Sequence, residues 1–539
     1  MRSKLLLISV VSLAMLSHTL YGRKKPKAVA PVPVAQMNGD QKILHALNRL
    51  TFGARPGDVE EVKRQGLQNW IEAQLHPETI AENPLLEARL EPLETLRMST
   101  TEMLRKYPSQ QMIKAMADGR MALPEDPQTR AAVQTAIARL QGDKTAAVAL
   151  RPLQTVNRDL IEGKLLRAIY SNRQLDVVLT DFWYNHFNVY LDKGADRSLV
   201  TAYERDVIHP HVLGKFRDML VATAQSPAML FYLDNWQSAG PDARARPNQK
   251  KRQGLNENYG RELMELHTLG VDGGYTQQDV TEVARCFTGW TMKQPQQGSP
   301  FQFNARMHDN GEKHVLGVTI PAGGGIGDGL QVLDILAKHP STAHFIAKSL
   351  AIRFVADNPP ETLVAKMAMT FSATDGDLRE VMRTMLSSPE FWAPEAFRSK
   401  LKSPLEMVVS AVRAVNGDVE NATAIAALMR QLGQPLYRKQ EPTGYSNQGG
   451  EWMNSASLLA RMNFASALAQ AKIRGVKPDP ARLTGSPEQI ERSLLMTEPS
   501  PDALAAIQAG LDEQKQMTPG QAGPLVAGLT LGSPDFQRR

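Results

Sequence analysis

The sequence has one cysteine, Cys286, among 539 residues. This excludes an intramolecular disulfide and any zinc or iron–sulfur site built from cysteines. Long apolar runs are missing too: after residue 22 no stretch approaches the ~18 consecutive apolar residues of a membrane-spanning helix. A polytopic membrane protein is therefore excluded, whereas 42% hydrophobic residues are ample for a buried core.

Acidic residues are missing from the first 27 positions, which hold six of the 62 basic residues. The other 56 basic residues balance the 56 acidic ones, so the basic pI of about 9.1 comes from the N-terminus. A nucleic-acid-binding protein needs a basic surface on its folded domain. The charge distribution therefore predicts no nucleic-acid partner.

The N-terminus has the pattern of an export signal. Two basic residues precede an apolar run of 12 residues, Leu5–Leu16, and we interpret residues 1–22 as a signal peptide. Residues 23–39 are a Pro/Ala-rich linker. Because the basic residues that follow residue 22 resist translocation, the alternative is an uncleaved anchor that contacts the membrane through residues 5–21. We expect an exported protein, periplasmic or extracellular, with the N-terminally anchored form as the alternative.

Helical periodicity dominates the rest of the chain. Apolar residues recur at three- and four-residue spacing through residues 40–475, which predicts a large multi-helical domain. Residues 476–539 have shorter helical patterns and form a C-terminal helical tail. The predicted fold class is therefore mainly α.

One β signal interrupts the helices. Two extended runs, residues 301–307 and 315–320, flank Asn310-Gly311, a pair that favours a tight hairpin turn. The sequence therefore predicts a small β-hairpin insertion near residues 301–320.

The strongest candidate for chemistry is the helical segment that contains Glu262 and Glu265. At about 100° per residue the two carboxylates lie about 60° apart, and Asn258 and Arg261 share their helix face. Two carboxylates one turn apart can exchange protons with a substrate or bridge a metal ion. The structural alternative is a solvated stripe with an Arg261–Glu265 ion pair. His267 points to the opposite side of the helix.

Polar residues at the predicted hairpin tip are a second candidate. A tight turn can bring His308 or Asp309 over a neighbouring helix, although tip residues are more often solvated. With His308 placed over Glu262 and Glu265, these three residues are the predicted metal ligands. Lys313 is a nearby cation that can stabilise the carboxylates or bind substrate.

His186 and Asn188 belong to an aromatic segment, Asp181-Phe-Trp-Tyr-Asn-His-Phe-Asn188. Such a segment is expected to be buried, so its polar groups need partners. We consider His186 and Asn188 as substrate-binding residues, and a satisfied core histidine as the alternative. No Gly-x-Ser-x-Gly elbow or His-Glu-x-x-His helix occurs in the chain.

These segments resemble a large bacterial family, catalogued as domain of unknown function 1800. The matching stretches are Leu47–Gly53, Asp181–Asn188, Asn256–Gly270, Gly274–Gln277, Phe287–Trp290, His308–Lys313, Thr374–Arg379 and the neighbourhood of Trp452. The resemblance implies export and helical content, but no reaction. Many members are encoded beside a second exported family that resembles sulfatases and alkaline phosphatases, so a neighbouring exported sulfatase-like protein is the expected partner.

Two functional hypotheses remain. The first is an exported enzyme, acid/base or dependent on a divalent metal ion, with Glu262, Glu265, His308 and Asp309 as catalytic residues. Asn258, Arg261, His186, Asn188 and Lys313 are its predicted substrate-binding residues. The second is a non-catalytic scaffold that binds another exported protein or an envelope polysaccharide.

The export prediction has a direct test. Fractionation of cells that express the full chain should place the protein in the envelope or outside the cell, because the N-terminal pattern directs translocation. Recovery as a soluble cytoplasmic protein with residue 1 intact would contradict it.

Overall fold

A computed structural model describes residues 36–143, 152–241, 243, 254–295, 298, 300–513 and 519–539 of the protein. This part of the chain has 25 α-helices and three small antiparallel sheets, so the predicted mainly α class is confirmed. Residues 37–539 form one compact unit, which includes both 40–475 and 476–539. The predicted signal peptide, residues 1–22, and linker residues 23–35 lie outside the described residues.

Helices of the N-terminal half begin directly after the linker, where Asn38 and Gln41 form a reciprocal cap. In chain order they are α1 Gly39–Leu50, α2 Asp58–Gln65, α3 Leu67–Leu75, α4 Pro84–Leu90, α5 Thr100–Lys106, α6 Gln110–Ala117, α7 Pro127–Leu140, α8 Pro152–Tyr170, α9 Gln174–His186, α10 Asp196–Ala202, α11 Phe216–Ala224, α12 Pro227–Tyr232, α13 Asn258–Glu262 and α14 Gln277–Cys286.

Helices of the C-terminal half follow the strands. They are α15 Ile326–Lys338, α16 Pro340–Phe354, α17 Glu361–Ala373, α18 Leu378–Leu386, α19 Pro404–Ala414, α20 Thr423–Gln431, α21 Ser455–Ala469, α22 Pro487–Leu495, α23 Pro501–Glu513, α24 Pro519–Gly532 and α25 Pro534–Gln537. Every residue of α19 is buried, so this helix lies in the core. Among the described residues no helix has the length and apolar character needed to cross a membrane.

Two helices pass into π-helical turns. The turn Tyr203–Ile208 follows α10, and the turn Leu263–Thr268 follows α13. π-helical turns are rare in proteins, and those that do occur are often at functional sites. The extra residue in such a turn changes the directions of the side chains. The second turn carries Glu265, one of the two carboxylates singled out from the sequence.

The three sheets have two short strands each. Their strands are β1 Trp290–Thr291 with β2 Gln302–Phe303, β3 Lys313–Val315 with β4 Val318–Ile320, and β5 Asp418–Val419 with β6 Val476–Lys477.

A hairpin lies within residues 301–320, but the predicted strand pairing was wrong. Val315 pairs with Val318 across a turn at Leu316-Gly317, not at Asn310-Gly311, and Phe303 pairs with Trp290 outside the hairpin. Both turn residues have positive φ, 49° and 78°. The segment that precedes β3 instead turns into the protein, where its polar side chains find buried partners.

Candidate functional site

Glu262 and Glu265 lie at the junction of α13 and its π-helical turn, and both are half-buried. Asn256 fixes the chain just before α13: its Nδ2 donates to Asp234 O at 3.2 Å and its Oδ1 accepts from Asn258 N at 2.9 Å. The π turn then changes the angular spacing of side chains from that of the regular helix assumed for the sequence. The two carboxylates therefore remain neighbours, but on a locally irregular backbone.

The predicted polar stripe is divided in the structure. Asn258 is exposed, and Arg261 Nη2 donates to Gln277 Oε1 at 2.8 Å. Arg261 Nη2 also lies 3.8 Å from Glu257 Oε2, one turn towards the N-terminus. The ion pair considered from the sequence was Arg261 with Glu265; the pair in the structure is with Glu257. Among the described residues, no cation donates a hydrogen bond to Glu262 or Glu265.

Electrostatics distinguish Glu262 from an ordinary surface carboxylate. Burial raises the pKa of Glu262, and the charge of Glu265 raises this pKa further, against the smaller opposing effect of Arg261. Tyr275 donates its hydroxyl to Glu265 Oε2 at 3.2 Å, and burial together with Glu265 raises the pKa of Tyr275 to about 12. The pair therefore combines a glutamate whose pKa is raised with a second glutamate that accepts a hydrogen bond from a tyrosine hydroxyl.

His308 and Lys313 belong to a separate, fully buried network. His308 Nδ1 lies 2.8 Å from Thr288 O, and its Nε2 lies 3.1 Å from Asp328 Oδ2. Lys313 Nζ donates to the same Asp328 Oδ2 at 2.5 Å and to the carbonyl of Asp309. The side chains of His308 and Lys313 are 0% exposed. Both ring nitrogens of His308 are engaged and closed to solvent, so this network anchors the hairpin.

Asp309 extends that anchor to α14. Its carboxylate accepts from Arg285 Nε at 2.8 Å and from Gly311 N at 2.9 Å. Although burial opposes it, the hydrogen bond from Arg285 lowers the pKa of Asp309. The geometry gives Asp309 a structural partner rather than a substrate-facing position.

The predicted metal ligands are not brought together. No hydrogen bond of the described residues joins the His308 network to Glu262 or Glu265. In the same part of the chain no group of three or more His, Cys, Asp and Glu side chains is arranged to hold a metal ion. His308 was expected to lie over the Glu pair, but its hydrogen bonds are to Thr288 and Asp328.

His186 and Asn188 lie at the C-terminal end of α9, and their side chains donate hydrogen bonds to backbone carbonyls of other segments. His186 Nε2 donates to His267 O at 3.1 Å, and burial lowers the pKa of His186 to about 4. Asn188 Nδ2 donates to the carbonyls of Lys439 and Glu441 at 3.0 and 2.9 Å. The satisfied-core interpretation of His186 fits these contacts, and Asn188 fixes a distant segment of backbone.

A polar cavity of about 50 Å³ at the end of α9, here called the α9 cavity, was not predicted from the sequence. Its charged lining residues are Lys164, Asp181, Arg353, Glu406 and Arg539. They come from four helices and the last residue of the sequence, so no local pattern relates them. The only sequence signals at this place were the aromatic segment of α9 and Trp452, which also lines the cavity.

An apolar groove of about 1100 Å³ lies along α21, α23 and α24. Leu458, Leu459 and Met462 line it and are 40%, 61% and 46% exposed. Exposed apolar surfaces of this kind are typical of sites that contact another macromolecule. The sequence did not reveal this groove, because the same residues also fit a buried helix face.

The structure is that of a helical domain with a half-buried carboxylate pair, a polar cavity and an apolar groove. The chain belongs to the family described as "Protein of unknown function (DUF1800)", whose model matches residues 45–538. No curated protein and no solved structure matches the chain. The matched range contains the carboxylate pair, the hairpin network and every residue that lines the α9 cavity except Arg539.

The structural role of the hairpin network is testable by Asp328→Asn. This change leaves the Lys313 ammonium buried without its charge partner, and we expect a loss of about 3–5 kcal/mol in the free energy of unfolding. The measurement is urea unfolding followed by circular dichroism.

The matched control is Asp334→Asn on the same helix, whose partner Arg217 lies at 2.7 Å in a pair that is 40–47% exposed. Exposed pairs contribute about 0–1 kcal/mol. Equal losses in the two variants would contradict the structural role assigned to Asp328.

Proposed function

We propose that the protein is an exported acid/base enzyme in which Glu262 and Glu265 transfer protons to and from a substrate. The supporting observation is the raised pKa of half-buried Glu262 beside Glu265 at a π-helical turn. Catalytic carboxyl groups need pKa values closer to neutrality than free glutamate has, and burial beside a second carboxylate is one way to reach them.

The two carboxyl groups would have different roles. Glu262 retains its proton to higher pH and is the general acid, while Glu265, oriented by Tyr275, is the general base. Hydrolysis of a glycosidic bond is a reaction that needs only such a pair, with no metal and no cysteine. An envelope polysaccharide is therefore the substrate class that we propose.

Glu262→Gln tests the site through the dependence of stability on pH. A raised pKa in the folded state means that Glu262 stabilises the fold only while protonated. This stability is full below the pKa of the unfolded chain and is lost as pH rises through the folded pKa. The variant should therefore match the wild type at pH 4 and exceed it by about 0.5–2 kcal/mol at pH 8, a typical gain when a strained functional residue is replaced. Urea unfolding across this pH range measures the difference.

Glu265→Gln sharpens the test, because removal of the neighbouring charge should reduce the pH-dependent difference caused by Glu262→Gln. Glu87→Gln, on the exposed face of α4, is the control and should show no such difference. With polysaccharide from the cell's own envelope, release of reducing ends should fall by about 10²–10⁴-fold in both site variants. Unchanged release, or a difference that does not depend on pH, would contradict the proposal.

The second candidate function is non-catalytic binding of another exported protein, and the apolar groove favours it. Leu458, Leu459 and Met462 present a continuous apolar surface that the described part of the chain does not cover. The neighbouring sulfatase-like protein is the partner proposed for it. Two results together would favour binding over catalysis. The wild type and Glu262→Gln should bind this partner equally well, and the wild type should release no reducing ends.

A further inference from the structure

A cluster of buried cations surrounds Glu406 at the N-terminal end of α19. Each member is at most 5% exposed, and the cluster consists of Arg49, Arg353, Lys400, Lys402, Arg461 and Arg539. Burial lowers the pKa of Lys400 to about 8 and that of Lys402 to about 7. These residues come from positions 49 to 539, so the fold assembles the cluster from both ends of the domain.

The anions of this region do not balance its cations. Glu406 Oε1 lies 2.6 Å from Arg353 Nη1 and 3.0 Å from Arg539 Nη2, and Asp357 accepts from Lys400 Nζ. Even with Lys402 left out, because its pKa is about 7, five cations of the cluster face these two carboxylates. A buried charge without a partner is costly, so an excess of this kind calls for a further anion.

Several guanidinium groups of the cluster also have free N–H donors. Nε and Nη1 of Arg539 have no hydrogen-bond partner among the described residues, and the same holds for Nε and Nη1 of Arg49 and for Nε of Arg461. Arg539 lines the α9 cavity and is 4% exposed. Unpaired buried donors on a side chain that lines an open space indicate a ligand that accepts hydrogen bonds.

The other walls of the cavity do not cancel this positive charge. Lys164 is paired on its own side, at 2.9 Å from Asp181 Oδ1 and 3.2 Å from Glu204 Oε2. Asn447 and Ser403 contribute polar, uncharged side chains. The charged residues that line the cavity are three cations and two carboxylates, so the lining has an excess of one positive charge.

The size of the cavity limits the ligand. About 50 Å³ exceeds the ~30 Å³ that one water molecule occupies in the liquid. It is much smaller than the ~300–1,000 Å³ of pockets for organic ligands. A small inorganic anion fits this space, and the planar fork of arginine suits the oxygens of a phosphate or sulfate group.

We propose that the α9 cavity binds one tetrahedral oxyanion, phosphate or sulfate, between Arg539 and Arg353. The anion would accept the free donors of Arg539 and compensate the excess charge around Glu406. This site is separate from the Glu262 pair and does not depend on the function proposed for that pair.

Isothermal titration calorimetry of the full chain in chloride buffer, at constant ionic strength, tests the site. Sodium phosphate and sodium sulfate are the probes, and sodium acetate is the planar, monovalent comparison. We expect one saturable site per chain for phosphate or sulfate and at least tenfold weaker binding of acetate. Arg539→Gln should weaken phosphate binding at least tenfold, because it removes the charge at the cavity wall.

Arg413→Gln is the matched control. Arg413 is 1% exposed, but it donates to the carbonyls of Gly53 and Ile169 and pairs with Asp58, all outside the cation cluster. This variant should be destabilised and should still bind phosphate like the wild type. Equal weakening in both variants would overturn the proposal.

Asn447→Asp is the second variant, for the case that Arg539→Gln does not fold. No hydrogen bond of the Asn447 side chain occurs among the described residues, so the change should preserve the fold while it adds a negative charge to the cavity wall. It should weaken phosphate binding at least tenfold. Absence of saturable binding by the wild type, or unchanged binding by Asn447→Asp, would show that water alone fills the cavity and would refute the oxyanion site.

Discussion

The ion pairs of Glu406 with Arg353 and Arg539 lie in the core, where each of these side chains is at most 10% exposed. Burial alone would raise the pKa of Glu406, but the two arginines outweigh burial and lower this pKa to about 2. Backbone hydrogen bonds near this carboxylate also connect residues 400–402 with residues 537–539. Lys402 N donates to Gln537 O, and Arg539 N donates to Lys400 O. One carboxylate thus connects α16, the start of α19 and the last residues of the sequence.

This constraint also produces the local excess of positive charge. Arg353 and Arg539 pair directly with one carboxylate, and the other four buried cations of the cluster lie around it. The fold thereby places free guanidinium donors at the wall of the α9 cavity. Stability and a capacity to bind anions have the same origin in this region.

The segment around residue 440 connects the two candidate sites. Asn188 holds it on the cavity side through the carbonyls of Lys439 and Glu441, and Tyr232 donates its hydroxyl to Gln440 O at 2.7 Å. Burial raises the pKa of Tyr232, and the charge of Glu262 contributes to this shift. Side chains near the carboxylate pair and at the α9 cavity therefore bond to the same stretch of backbone, residues 439–441.

Helical periodicity was sufficient to predict the fold class and the proximity of Glu262 to Glu265. It was not sufficient to predict the π-helical turn, because one extra residue per turn leaves the apolar pattern almost unchanged. The prediction of the hairpin register was wrong for a different reason. Asn310-Gly311 is the better turn sequence, but burial of His308 and Lys313 places the turn at Leu316-Gly317. The cation cluster could not be predicted from the sequence, since the local sequence around each of its residues is also compatible with a solvated side chain.

Whether the buried positive charge around Glu406 must be balanced can be determined with Glu406→Gln. The measurement is the free energy of urea unfolding in chloride buffer and again with added phosphate at the same ionic strength. In chloride the variant should lose about 3–5 kcal/mol relative to the wild type, because buried arginines lose their partner. Phosphate should restore part of this loss and should stabilise the variant more than it stabilises the wild type. Wild-type stability of the variant in chloride, or a phosphate effect no larger than that on the wild type, would contradict the account.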